Sequence, residues 1–154
     1  MVDQENIRCG FVALVGAPNA GKSTLMNHVM GTKVSIVTHK VQTTRARVVG
    51  VLTHDHDQIV FVDTPGIFSP NRRLERAMVA AAWGGAVDAD KIVLLVDAER
   101  GLGRDVQLII DGLKKAGKTA IVALNKIDLI PREKLLALAD ELQEAGVFEN
   151  IFMI

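Results

Sequence analysis

The chain has 154 residues, 49% hydrophobic and 23% charged, the size and balance of one globular domain with a sizeable core. Eighteen Lys+Arg offset eighteen Asp+Glu, so net charge gives no argument for a nucleic-acid or membrane partner. The lone Cys9 excludes an internal disulfide, no apolar run reaches the roughly 18 residues of a membrane span, and the polar start MVDQENIRCG is unlike a secretory signal, so a cytoplasmic protein is expected.

Phe11–Val15 is a short apolar run of the kind that forms a strand buried on both faces. It leads into GAPNAGKST, Gly16–Thr24, which fits the phosphate-loop spacing of Gly, four free positions, Gly, Lys and Ser or Thr. Gly16 and Gly21 let the backbone curl around Ala17, Pro18, Asn19 and Ala20 so that successive N–H groups face one concavity. Lys22 can reach the outer phosphates, Ser23 completes the match and can offer its hydroxyl to Mg²⁺, and Thr24 follows directly as part of the binding stretch. A helix from Lys22 to Met30, stopped by Gly31, adds the positive end of its dipole beneath the phosphates and turns Leu25, Met26 and Val29 to the core.

Thr32–Thr44 has no clean period and reads as a loop able to change shape. Arg45–Thr53 and Gln58–Asp63 are two strands of an antiparallel hairpin. Its tip, His54–Asp57, has the residue types of a small metal site, but with no further His or Cys cluster a solvated turn is the expectation. DTPG, Asp63–Gly66, ends the second strand, and Leu74–Val87 is an Ala-rich helix whose Trp83 faces either the core or a partner. Lys91–Asp97 is a buried strand. Arg104–Ala116 is a helix with Val106, Ile109, Ile110 and Leu113 at helical spacing, closed by Gly117. Thr119–Asn125 is a strand, Arg132–Ala145 a helix between Pro131 and Gly146, and Asn150–Ile154 a last strand.

This alternation predicts a three-layer α/β fold with a mostly parallel six-stranded sheet and one antiparallel edge strand. A parallel strand normally leads into a crossover helix, so the apolar end at Ile154 suggests a domain cut short, with sheet surface left to drive association.

Ligands of such sheets bind beyond the carboxyl ends of the strands, where all three unusual motifs fall. Asp63 is placed to hold Mg²⁺, and Gly66, at the end of Thr64-Pro65-Gly66, can present its N–H to a γ-phosphate and release the loop behind it when that phosphate leaves. In NKID, Asp128 can accept two hydrogen bonds from guanine, which adenine cannot supply, while Asn125 and the stem of Lys126 brace the loop and cover the base. The pattern is that of a GTP/GDP site.

The ordered set GxxxxGKS, TTR, DTPG and NKID resembles the Ras-like G domains of the translation-factor-related GTPases. GAPNAGKSTLMN, KVSIVTHKVQTTRAR, FVDTPGIF and DKIVLLVD are similar to the bacterial Era family of ribosome-assembly GTPases, over essentially all 154 residues. The resemblance implies that Thr44, with Thr43 as its competitor, ligates Mg²⁺ in the GTP state. It implies that Asn19 supports K⁺-stimulated hydrolysis, and it puts Lys22, Asn19, Thr44 and Gly66 in the catalytic set. It also implies that the whole protein meets 16S rRNA and the 30S subunit through a KH domain outside residues 1–154, with peripheral contact at the inner face of the membrane. These residues alone are not expected to bind RNA strongly. Ile67 stands where Ras-like proteins carry a water-orienting Gln, so slow intrinsic turnover is implied. The alternatives are a docking module with negligible hydrolysis and the G domain of a related ribosome-assembly or tRNA-modification GTPase.

Overall fold

The computed structural model describes residues 7–31, 34–35, 47–63, 83–84, 86 and 88–154. The elements in chain order are β1 (Arg8–Gly16), α1 (Lys22–Met30), β2 (Val34–Ser35), β3 (Arg47–His54), β4 (Asp57–Asp63), β5 (Lys91–Asp97), α2 (Arg104–Ala116), β6 (Ala120–Asn125), α3 (Arg132–Glu144) and β7 (Phe148–Met153). They form one sheet in the order β2-β3-β4-β1-β5-β6-β7. β1 pairs in parallel with β4 and β5, and β5–β6 and β6–β7 are also parallel; β3 is the antiparallel strand against β4. The six expected strands are present, and the two-residue β2, within the stretch read as a loop, extends the edge beyond β3.

Alternation along the strands sorts the helices onto the two faces. Ala13 and Val15 of β1, Ile92, Leu94 and Val96 of β5, and Val122 and Leu124 of β6 join Val106, Ile109, Ile110 and Leu113 of α2 and Leu135, Leu138 and Leu142 of α3 in the larger core. On the opposite face Ala20, Leu95 and Ala123 form a smaller core, with Leu25 of α1 packed on it. Met26 is the buried residue of α1, and Leu25 and Val29 are half-buried. Among the described residues no helix is long and apolar enough to cross a membrane.

Several boundaries differ from expectation for identifiable reasons. β1 starts three residues early because Arg8–Gly10 pair with Asp57–Ile59 of β4, while pairing with β5 begins only at Val12. That extension is exposed, so no apolar run announces it; Arg8 fastens it through a bidentate pair, Nε to Asp57 Oδ1 at 2.8 Å and a terminal nitrogen to Oδ2 at 2.6 Å. Cys9 lies on this stretch and is exposed. The hairpin tip is a solvated turn with Asp55 in the left-handed region (φ 53), and among the described residues no group of three or more His, Cys, Asp or Glu could hold a metal. Gly117 closes α2 as a left-handed cap (φ 64), with Lys118 N–H donating to Leu113 O at 3.0 Å.

Most of the helix expected over 74–87 lies outside the described residues, but Trp83, Gly84 and Ala86 are helical. Trp83 is half-buried on the larger core, and Gly112 of α2 makes room for it: a Cβ there would collide with the indole ring. Gly112→Ala is therefore expected to lower stability by about 1–3 kcal/mol through overpacking. Thermal denaturation checks the loss, and because the chain has one Trp, its emission reports the displacement directly.

Candidate nucleotide site

The carboxyl ends of the parallel strands bring the predicted motifs to one edge. Gly16 ends β1 opposite Leu95 of β5, Asp63 ends β4 opposite Leu14 of β1, and Asn125 ends β6 opposite Asp97 of β5. Gly16 runs so close to its neighbour that a Cβ would lie 2.7 Å from the Leu95 carbonyl oxygen, backbone that cannot move aside. From Gly16 the loop turns through Asn19 (φ 62) and Gly21 (φ 101), both left-handed. At Gly21 a side chain would be strained and would strike the Asn125 amide. The loop is a cradle that two missing Cβ atoms make possible.

α1 begins at Lys22 directly behind this cradle. Lys22 Nζ folds back over the loop, donating to Gly16 O at 2.8 Å and Ala17 O at 3.4 Å. Ser23 and Thr24, in the first turn, are exposed, as are Pro18 and Asn19. A curled loop at a helix amino-terminus with a half-exposed ammonium suits a polyanion such as a nucleotide phosphate chain. The Ser23 hydroxyl is an oxygen donor of the kind a hard divalent cation takes, and Asp63 closes β4 at the same edge of the sheet. Thr43, Thr44, Thr64, Pro65, Gly66 and Ile67 lie outside the described residues.

The loop after β6 is joined to the phosphate loop from the other side. Asn125 Nδ2 donates to Ala20 O at 3.0 Å, and Lys126 Nζ donates to Asn19 O at 3.1 Å. Lys126 is itself left-handed (φ 60), and Ile127–Leu129 follow as a single 3₁₀ turn that presents Asp128 to solvent. Residues more than a hundred positions apart in sequence thus make one continuous rim, with the curled glycine loop at one end and an exposed carboxylate at the other.

Sequence reasoning missed Asp97. It is 5% exposed and receives Lys126 Nζ at 2.6 Å. Burial pushes its carboxyl up, but the Lys126 ammonium and the N–H groups of Arg100 and Glu99 outweigh burial and hold it below the usual carboxylate range. The stability it contributes is present above the unfolded-state value and is lost as pH falls through the lower folded-state value. The one signal for it was the likeness of KIVLLVD to QIVFVD, two apolar runs each ending in an acid.

Residues 11–126 match the model of the family described as "50S ribosome-binding GTPase". The chain is 60% identical over 147 residues to GTPase Era of Sinorhizobium medicae, covering 96% of this chain and 47% of that protein. It is 59% identical to GTPase Era of Agrobacterium fabrum, covering 96% and 46%. Among solved structures, Era in complex with MgGDPNP and nucleotides 1506–1542 of 16S ribosomal RNA superposes with a TM-score of 0.76 at 41% identity, covering 96% of this chain and 51% of that one. An Aquifex aeolicus Era variant bound to GDP·AlF4⁻ superposes with a TM-score of 0.73, also at 41% identity, covering 96% and 51%. The chain spans about half the length of the curated relatives it matches.

Proposed function

The chain belongs to the 50S ribosome-binding GTPase family, and on that footing we propose that it is a molecular switch that binds GTP and hydrolyses it to GDP and phosphate. The observation that carries this reading is the joined rim: Asn125 and Lys126 are bonded to the carbonyls of Ala20 and Asn19, so the base-reading loop and the phosphate loop are two ends of one site. The cradle Gly16–Thr24 takes the phosphates, Asp128 reads guanine, and Asn125 and Lys126 set the span between them. Water attacks the γ-phosphorus in line, the bond to the β-phosphate oxygen breaks, and charge spreads over the transferred oxygens. Lys22 and the loop N–H groups are the donors this chain offers to that charge, with the Gly66 N–H meeting the γ-phosphate and Thr64 and Pro65 counted with it in the nucleotide-binding set. Ser23, Asp63 and Thr44 would hold Mg²⁺, which neutralises β- and γ-phosphate charge when bound. Ile67 cannot orient the water, so turnover is expected to be slow, and Asn19 would hold K⁺, which would supply the positive charge that an arginine finger gives elsewhere.

An Era relative was solved with both MgGDPNP and a segment of 16S rRNA, which supports extending the reading to a whole protein whose nucleotide state controls docking on small-subunit RNA. The RNA contact is made through a KH domain outside residues 1–154, in the cytoplasm and at the inner face of the membrane. Ile67 also favours a second reading, a docking module with negligible hydrolysis. Purified protein is expected to retain labelled GTP against excess ATP, and single-turnover hydrolysis is expected to be faster in KCl than in NaCl. Displacement by ATP refutes the guanine assignment. Hydrolysis equal to the protein-free control in both salts selects the docking module.

A further inference from the structure

Among the described residues Asp97 is the one buried charged side chain, and it belongs to none of the three motifs. Its two oxygens face different tasks. Oδ1 accepts the N–H of Glu99 at 3.0 Å and the longer contact from Arg100 at 3.4 Å, which shape the turn after β5. Oδ2 accepts Lys126 Nζ at 2.6 Å, and the same ammonium reaches on to Asn19 O. Lys126 carries its ammonium on a flexible four-carbon stem, which needs a fixed partner to hold one place. A carboxylate supplied by the rigid end of a central strand is such a partner, and a charge-assisted bond is about twice as strong as a neutral one.

We infer that Asp97 is a positioning residue that locks the Lys126 ammonium against the phosphate-loop carbonyl and so holds the base-reading and phosphate ends of the site at their working distance. The inference rests on the GTP-binding reading above and deepens it. A rim held in place before the nucleotide arrives spares the cost of ordering it on binding. Loosening it acts mainly on dissociation, since changes within one interface fall mostly on that rate. Both GDP and GTP span the rim, so both are affected alike.

The test uses dissociation of fluorescently labelled GDP and of a labelled non-hydrolysable GTP analogue. Asp97→Asn keeps an acceptor for the Glu99 N–H and removes the charge that holds Lys126; release of both nucleotides is expected to accelerate about tenfold, with association nearly unchanged. Lys126→Ala, which also removes the stem over the base, is expected to accelerate release at least as much, and adding Asp97→Asn to Lys126→Ala is expected to change nothing further. Acceleration of equal size in the Lys126→Ala background makes Asp97 a support of its own turn only and overturns the inference, as does unaltered release from Asp97→Asn. If Asp97→Asn does not fold, Lys126→Arg takes its place: it keeps a charge for Asp97 and must release more slowly than Lys126→Ala, and equal release overturns the inference. Failure of the parent protein itself to retain guanine nucleotide refutes the GTP-binding reading and this inference together, a result distinct from all the others.

Discussion

Replacing Asp128 with asparagine is expected to turn a guanine site into a xanthine site. Asp128 sits in the 3₁₀ turn Ile127–Leu129, tied by Leu129 N–H donating to Lys126 O at 3.1 Å, and its side chain is exposed. In the proposed reading it accepts the N1–H and the exocyclic amine of guanine. An asparagine amide would place an N–H₂ donor against that amine and suits the C2 carbonyl of xanthine. A site built on such hydrogen bonds rejects a mismatched partner by as much as about 10⁴–10⁵, so the change in preference between GTP and XTP is expected to be of several orders of magnitude. Folding is expected to be untouched, because the exchanged oxygen is solvated in the free protein and no described hydrogen bond depends on it. Competition of GTP, XTP and ATP against a labelled nucleotide measures the effect. Unchanged GTP affinity in Asp128→Asn removes Asp128 from the base site.

The features that were legible in the sequence are those whose physical demand is local. Gly16 and Gly21 must lack a Cβ because the chain passes against Leu95 O and Asn125, and that demand leaves a spacing in the sequence. Val106, Ile109, Ile110 and Leu113 are all buried because one face of α2 meets the sheet, and that leaves a period. The carboxyl-end placement of all three motifs followed from parallel strand order alone. What was illegible depends on partners far along the chain. Arg8–Gly10 extend β1 only because Asp57–Ile59 lie beside them, and the exposed side chains of Arg8 and Cys9 carry no trace of it. Val34–Ser35 pair with Val51–Leu52 from within a stretch that has no clean period. The bracing role of Asn125 and Lys126 could be read from NKID, but not that their acceptors are the Ala20 and Asn19 carbonyls. Nor could Asp97 be read as the acid beneath Lys126, because an Asp ending a strand has the same appearance whether it is buried in an ion pair or exposed in a turn.

Lys22→Ala is expected to abolish hydrolysis while leaving the domain folded. In the free protein the ammonium donates to Gly16 O and Ala17 O, neutral acceptors that hold it over the loop. A phosphate oxygen carries full negative charge and is the stronger partner, so the same short swing that releases those carbonyls delivers the cation to the phosphate chain. Removing one preorganised donor from developing oxyanion charge costs about a hundred- to a thousandfold, and a full cation at this position is expected to reach at least the upper end. Lys22→Arg should not rescue it, since the planar guanidinium cannot follow the path of a compact ammonium through the loop. Single-turnover hydrolysis with protein in excess isolates the chemical step from weakened binding, and thermal denaturation confirms the fold. Hydrolysis within tenfold of the parent would place Lys22 away from the reacting phosphate. The contrast with Asp128 carries the mechanism further: Asp128→Asn is expected to change which nucleotide is used and to spare the rate with xanthine triphosphate, whereas Lys22→Ala is expected to lose the rate with every base. Variants that failed in both respects would mean that base reading and phosphate chemistry are not the separate ends of one rim.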